Sequence, residues 1–266
     1  AAPTASLASS VAEVIVEFEA RGRVGLIRLN RPDARNAVNR ELAEAVEAAI
    51  DRLEDDDELW AGILCANGPA FSAGADLKAI ASGTTNLGTA RGGFGGLVTR
   101  ERIKPLIAAV EGPALAGGTE LVLACDMVVA STAARFGLPE VKRSLIASAG
   151  GLVRLPRHLP RNLAMEAALT GDPISAETAH QYGLVNHLVD PGQAVDAALE
   201  LAGRVSANAP LAVRASRRSI LGTQLLDDEA GIRLTGEESR LLADTDDFRE
   251  GPRAFVEKRP PEWKGR

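Results

Sequence analysis

The sequence predicts an α/β fold, and three observations carry that expectation. Short apolar runs alternate with stretches whose apolar residues recur at helical spacing. Two of those runs, Ala61 to Ala66 and Leu106 to Glu111, are bounded by Gly and Pro and carry little polar alternation, as buried strands do. From Pro210 onward the pattern turns continuously helical, so an all-helical segment follows the mixed one.

The elements follow in order. Val14 to Phe18 and Val24 to Leu29 read as a hairpin turning at Arg21-Gly22. Asn39 is placed to cap a helix that carries Leu42, Val46, Ile50 and Leu53 on one face. After the strand at Ala61, residues 81 to 96 turn Gly-, Thr- and Ser-rich and lose periodicity. The Gly92-Gly93-Phe94-Gly95-Gly96 tail follows a loop instead of a strand, so it is no dinucleotide fingerprint, and a mobile loop over a binding site is expected. Leu121 to Cys125 fall on a helix and Met127 to Ala130 on the next strand. Leu211 to Leu221, Asp228 to Leu242 and Asp246 to Lys258 complete a C-terminal helical segment. The chain divides into a mixed segment over residues 11–209 and a helical one over 210–266.

Composition narrows the function classes. A net charge of −6 opposes nonspecific nucleic-acid binding, which needs a basic face. No apolar run approaches the length of a membrane span. The Ala/Ser-rich first ten residues lack a basic start and an apolar core, so they read as a flexible end and not a signal peptide. Cys65 and Cys125 lie apart in apolar runs and read as buried, reduced thiols, which points to a cytoplasmic protein. Aromatic residues make up only 3%, so the interior is expected to pack small aliphatic side chains.

Two segments carry the chemistry. Ala70-Phe71-Ser72-Ala73-Gly74-Ala75-Asp76-Leu77-Lys78 and Ala116-Gly117-Gly118-Thr119-Glu120 each set a small-residue turn before a helix start. Free amide N–H groups at such turns suit an anion or a developing oxyanion. Asp76 is a natural N-cap and is left out of the chemistry. Glu120 falls among Leu121, Val122, Leu123 and Ala124, a helix with no polar face, so its carboxylate must be paired, protonated or turned toward a cavity. A second carboxylate, Glu140, follows twenty residues later in Leu138-Pro139-Glu140-Val141. Oxyanion donors with two carboxylates describe enolate chemistry beside a carbonyl. His158, His180 and His187 have no metal-ligand spacing, and Ser72 lacks the leading Gly of a nucleophile elbow.

These pieces, together with Asn30-Arg31-Pro32, Arg35-Asn36-Ala37, Cys125-Asp126, Pro139-Glu140 and Ala254-Phe255-Val256-Glu257-Lys258-Arg259, resemble the crotonase (enoyl-CoA hydratase/isomerase) superfamily, in order from about residue 14 to the end. The resemblance implies a spiral of ββα turns and a C-terminal helical trimerisation lobe, in a homotrimer or a dimer of trimers. It implies a coenzyme A thioester substrate, with no metal and no cofactor beyond the CoA of the substrate itself. By position, the N–H groups of Ala75 and Gly117 would form the oxyanion hole, and Glu120 and Glu140 match the two hydratase carboxylates. Lys78, Phe255 and Lys258 match positions near the CoA nucleotide, the last two reaching a neighbouring subunit.

The implied reaction is reversible hydration of a 2-enoyl-CoA to a 3-hydroxyacyl-CoA. Ile146-Ala147-Ser148-Ala149-Gly150-Gly151 departs from the Ile-Pro-Gly of many hydratases. Gly92-Gly93-Phe94 and Leu152-Val153-Arg154-Leu155-Pro156 are similar to carnitinyl-CoA dehydratase-like members. Carnitinyl-type dehydration and double-bond isomerisation therefore stay open. So does a CoA-ester- or RNA-binding homologue with little activity, although the acidic chain offers no basic helix for RNA.

Overall fold

The computed structural model describes residues 14–84 and 86–266; the expected flexible end lies outside the described residues. The first elements are β1 (Val16–Arg21), β2 (Val24–Leu29), α1 (Arg40–Asp55), β3 (Ala61–Ala66) and α2 (Leu77–Ala81). Then come β4 (Gly88–Thr89), β5 (Gly93–Phe94), β6 (Leu106–Val110), β7 (Ala114–Leu115), α3 (Gly117–Leu123), β8 (Met127–Ser131) and β9 (Arg135–Gly137). A 3₁₀ turn (Pro139–Arg143) leads to α4 (Gly151–His158), α5 (Arg161–Thr170), β10 (Ile174–Ser175), α6 (Ala176–Gln181), β11 (His187–Val189) and α7 (Ala194–Ser206). The last three helices are α8 (Pro210–Thr223), α9 (Asp228–Ala243) and α10 (Asp246–Glu257).

Six strands form the main sheet in the order β1-β2-β3-β6-β8-β11, parallel except for the β1–β2 hairpin. The hairpin turns at Gly22, whose φ of 58° suits a residue without a Cβ. Asn39 caps α1 as its sequence indicates, its side-chain oxygen accepting from the Leu42 N–H at 2.9 Å. Leu42, Val46, Ile50 and Leu53 of α1 are buried in the larger core, on one face of the sheet. On the other face, Leu26, Ile63, Ile107 and Val129 meet Ala194, Ala198 and Ala202 of α7. Alanines four residues apart form a flat stripe, which lets α7 lie close against the strands.

The spiral is visible in how the chain alternates between sheets. β6 lies in the main sheet, β7 in a small second sheet, and α3 follows; β8, β9 and the 3₁₀ turn repeat the pattern. The earlier turn through β3 reaches the second sheet by a single bridge, Ser72 to Ala114, and then enters α2. Ala114 in turn pairs with Phe136, and Leu115 with Gly137. Register therefore brings three successive strand-to-helix junctions side by side: Gly74-Ala75-Asp76, Ala116-Gly117 and Leu138-Pro139-Glu140. That row of junctions lines one cavity.

The Gly-rich stretch after α2 departs from the expected mobile loop. β4 and β5 make a small hairpin, and Glu47 of α1 accepts from the Gly92 N–H at 2.8 Å and from the Thr89 hydroxyl. Arg91 bonds both Glu47 and Asp51. A Cβ at Gly96 would sit 2.1 Å from the Ala43 carbonyl oxygen. The glycines bring this loop onto α1 so closely that it is clamped, not loose.

Candidate active site

Glu120, Glu140, Ala75 and Gly117 all line one cavity of about 810 Å³. Leu77, Ile80, Leu87, Phe94, Leu145 and Ile146 supply much of its apolar wall.

The first junction is held by buried polar groups. Asn36, fully buried, donates to the carbonyls of Asn67 at 2.8 Å and Ala70 at 2.9 Å, and accepts from the Arg31 N–H. Ser72 donates to the Asn36 carbonyl at 2.8 Å, and its hydroxyl accepts from the Gly74 N–H. The Asn-Ala motif thus serves to fix the turn that carries Ala75. Val38 pairs with the peptides on either side of Ala75, donating to the Gly74 carbonyl and accepting from the Asp76 N–H. In such a parallel bridge the amide of Ala75 itself points the opposite way. Asp76 caps α2 by accepting from the N–H groups of Lys78 and Ala79, as its sequence position indicates, and it faces Arg31 at 3.3 Å.

The second junction lies against the first. A Cβ on Gly74 would come within 2.6 Å of the Ala116 Cβ and 2.8 Å of the Gly117 nitrogen. Ala116 has φ 53° and ψ −129°, a conformation that costs a residue with a Cβ about 1–3 kcal/mol. This strained peptide aims the Gly117 N–H past the helix start. Among the described residues, neither the Ala75 nor the Gly117 N–H donates to a protein acceptor. Phe94 covers Gly117 so closely that a Cβ there would meet the ring at 2.3 Å. Thr119 ties the second junction to the third, its hydroxyl lying 2.7 Å from the Ala114 carbonyl and accepting from the Gly137 N–H at 3.0 Å.

The two carboxylates sit deeper. Glu120 is 3% exposed, and its Oε1 accepts from the Gly151 N–H at 2.9 Å. Burial pushes its carboxyl up to about 7, with the negative charge of Glu140 adding to the rise and the Gly151 amide and Arg154 opposing it. Glu140 is half-buried, and burial holds it above the ordinary carboxylate range. Its buried Oε2 has no hydrogen-bond partner. Two carboxyls raised by burial thus line one cavity with two free amides, the set of groups that acid–base chemistry beside an oxyanion requires.

Lys78 is exposed on α2, beyond the cavity wall formed by Leu77. Phe255, 85% exposed, and Lys258, the left-handed residue that ends α10, do not line this cavity within one chain. Arg143 and Arg35 also line the cavity, and neither is among the site residues that the sequence singles out. The three-residue spacing from Glu140 within a Pro-led turn was the available signal, because i and i+3 share a face in a 3₁₀ helix. The thiols of Cys65 and Cys125 are buried and free, and burial raises both.

A second cavity of about 790 Å³ lies between α8 and the core. Its Asp126 is tied to Arg102 at 3.1 Å and Arg217 at 2.9 Å and accepts from the Leu106 N–H, so its charge is committed to structure. Glu120 and Glu140 line the first cavity and not this one. Among the described residues, no helix is long and apolar enough to cross a membrane.

A family model described as enoyl-CoA hydratase/isomerase matches residues 19–266. Enoyl-CoA hydratase EchA19 of Mycobacterium tuberculosis is 42% identical over 254 residues, covering 93% of this chain and 96% of that protein. A carnitinyl-CoA dehydratase of Proteus mirabilis is 39% identical over 254 residues, covering 92% and 97%. The crystal structure of an enoyl-CoA hydratase from Mycobacterium tuberculosis H37Rv superposes with a TM-score of 0.92 at 46% identity, over 96% of this chain and 100% of that one.

Proposed function

The chain belongs to the enoyl-CoA hydratase/isomerase family, and we propose that it adds water reversibly across the double bond of a 2-enoyl-CoA to give a 3-hydroxyacyl-CoA. The observation that carries this reading is one cavity holding two unpartnered amide N–H groups and two raised carboxyls. The thioester oxygen accepts from Ala75 and Gly117, which stabilises the enolate-like transition state; each such donor is worth about 3 kcal/mol in barrier. Water adds its oxygen to the β carbon and gives a proton to Glu120. Glu140 delivers a proton to the α carbon from the same side. The carboxyl pair keeps one proton throughout, and reversal of these steps is dehydration.

Two carboxyls favour hydration over isomerisation, which needs one proton carrier. The chemistry asks for no metal and no cofactor other than the CoA of the substrate. The test is a spectrophotometric screen of enoyl-CoA thioesters, a carnitine-type thioester included, following loss of the conjugated absorbance. Turnover of a neutral 2-enoyl thioester is expected; isomerised products without hydration would overturn the reading.

Assembly and CoA contact belong to the same proposal. Leu221, Leu225, Ile232, Leu241 and Phe255 stand exposed on α8–α10 and the link between α8 and α9, from 47% to 85%, more than a monomer leaves in water. Residues 210–266 accordingly act as an oligomerisation lobe, in a homotrimer or a dimer of trimers, of a cytoplasmic enzyme. Phe255 and Lys258 would then reach the neighbour's CoA nucleotide, beside its Lys78. Lys258→Ala is expected to raise KM for a full CoA thioester about tenfold with little change in kcat, and to leave a pantetheine thioester unaffected. A monomer mass in light scattering would remove this role.

A further inference from the structure

Arg154 occupies a place that the reaction as described does not use. It projects from α4, half-buried, and its Nη2 donates to the Val98 carbonyl at 2.6 Å. Its Nη1 lies 3.5 Å from the Ala149 carbonyl. The guanidinium approaches Gly150 through Nη1, which a Cβ there would meet at 2.2 Å. The very next residue, Gly151, donates its N–H to Glu120. A single peptide stretch, 149–151, thus has Arg154 on one side and the Glu120 carboxyl on the other. Val98 closes the turn that starts at Phe94, its N–H donating to the Phe94 carbonyl. One side chain therefore braces both the loop that holds Glu120 and the loop that lays Phe94 over Gly117. Among the described residues no carboxylate pairs with Arg154. Its charge is spent on carbonyls, at a desolvation cost that an apolar residue would not incur.

We propose that Arg154 is a positioning residue for the hydration site: it clamps the 94–98 and 149–151 segments together and so holds the Gly151 N–H on the Glu120 carboxyl. This rests on the hydratase reading for its kinetic consequence alone. The groups that face Glu120 are Glu140 from the 3₁₀ turn, Arg154 from α4 and the amides of Ala149 and Gly151. Those that face Arg154 are Glu120 and Cys125 from α3 and its end, Arg157 and His158 from its own helix, and Arg102. Glu140 is the one neighbour that opposes ionisation of Glu120 by charge; Arg154 is the cation that favours it. Removing Arg154 leaves the opposing charge in place, so Glu120 should hold its proton to higher pH.

The experiment compares Arg154→Met, Arg154→Lys and wild type. The methionine keeps most of the stem volume and loses the charge and both donors; the lysine keeps the charge. In Arg154→Met the pH profile of kcat/KM should move to higher pH by about one unit, so that the ratio of activity at pH 8 to that at pH 6 grows about fivefold. Arg154→Lys should bring the profile back without restoring the full rate. Infrared titration of the carboxyl band in the unliganded protein, assigned by its loss in Glu120→Gln, should show the same upward movement. That readout needs no turnover, so it separates this proposal from the hydratase reading. A uniform loss of rate at every pH with an unmoved carboxyl titration would overturn it. If Arg154→Met does not fold, the lysine variant carries the test: a profile displaced as far as the loss of charge requires would also overturn it.

Discussion

Glu120→Gln is expected to lower kcat for hydration of a short 2-enoyl-CoA by about 10²- to 10⁴-fold, the usual weight of a positioned acid–base group. The amide keeps the size of the side chain and an oxygen to accept from the Gly151 N–H, but it cannot take the proton of the attacking water. Binding of a saturated acyl-CoA, measured by calorimetry, should be close to wild type. A variant with more than a third of the wild-type kcat would remove Glu120 from the mechanism. The same substitution should reveal the cost of the site. Because the folded-state value of Glu120 is raised from 4.5 to about 7, the native protein binds more protons than the unfolded chain across that range. Its stabilising contribution is complete below about pH 4.5 and disappears as pH rises through about 7. Relative to wild type, Glu120→Gln should therefore gain up to about 3 kcal/mol between pH 4 and pH 8, read from urea unfolding midpoints. For the wild-type enzyme the same group sets an acid limb of kcat/KM near pH 7, since below it Glu120 keeps the proton that it must lose before it can take one from water.

For Glu140→Gln a loss of comparable size is expected, and with it a second effect on its neighbour. The charge of Glu140 is one cause of the raised Glu120 value, so removing it should let Glu120 ionise at lower pH. Hydration needs a donor to the α carbon, and glutamine is none. The decisive measurement is solvent deuterium entering the α position of a 3-hydroxyacyl-CoA: Glu140→Gln should slow that exchange along with hydration. Wild-type rates in this variant would leave a one-carboxylate isomerase as the better description.

Much of this molecule could be read along the chain, because the features concerned are decided by residues close in sequence. Asn39 and Asp76 cap α1 and α2 through oxygens two or three residues from the amides they serve. The predicted strands Ala61 to Ala66 and Leu106 to Glu111 and the helices after Pro210 follow from apolar periodicity alone, and they stand within two residues of their expected ends. Glu120 could be singled out because four apolar neighbours on a helix leave a carboxylate nowhere to go except a cavity. The family resemblance then ordered these pieces.

What lay beyond the sequence depended on parts of the chain that meet only after folding. The clamping of residues 88–96 comes from Glu47, more than forty positions earlier, and composition alone made that stretch look mobile. That the Ala75 and Gly117 amides are both free, and adjacent, follows from the Ser72–Ala114 and Leu115–Gly137 register of the small sheet. The raised proton affinities are set by burial, and the bracing by Arg154 is set by a carbonyl 56 residues away. The sequence by itself determined the elements, their caps and the residue types the chemistry requires, since those depend on local backbone preference and hydrophobic spacing. Tertiary structure alone decided which of those residues share a cavity and how tightly each holds its proton, because desolvation and Coulomb interaction act through space and are indifferent to distance along the chain.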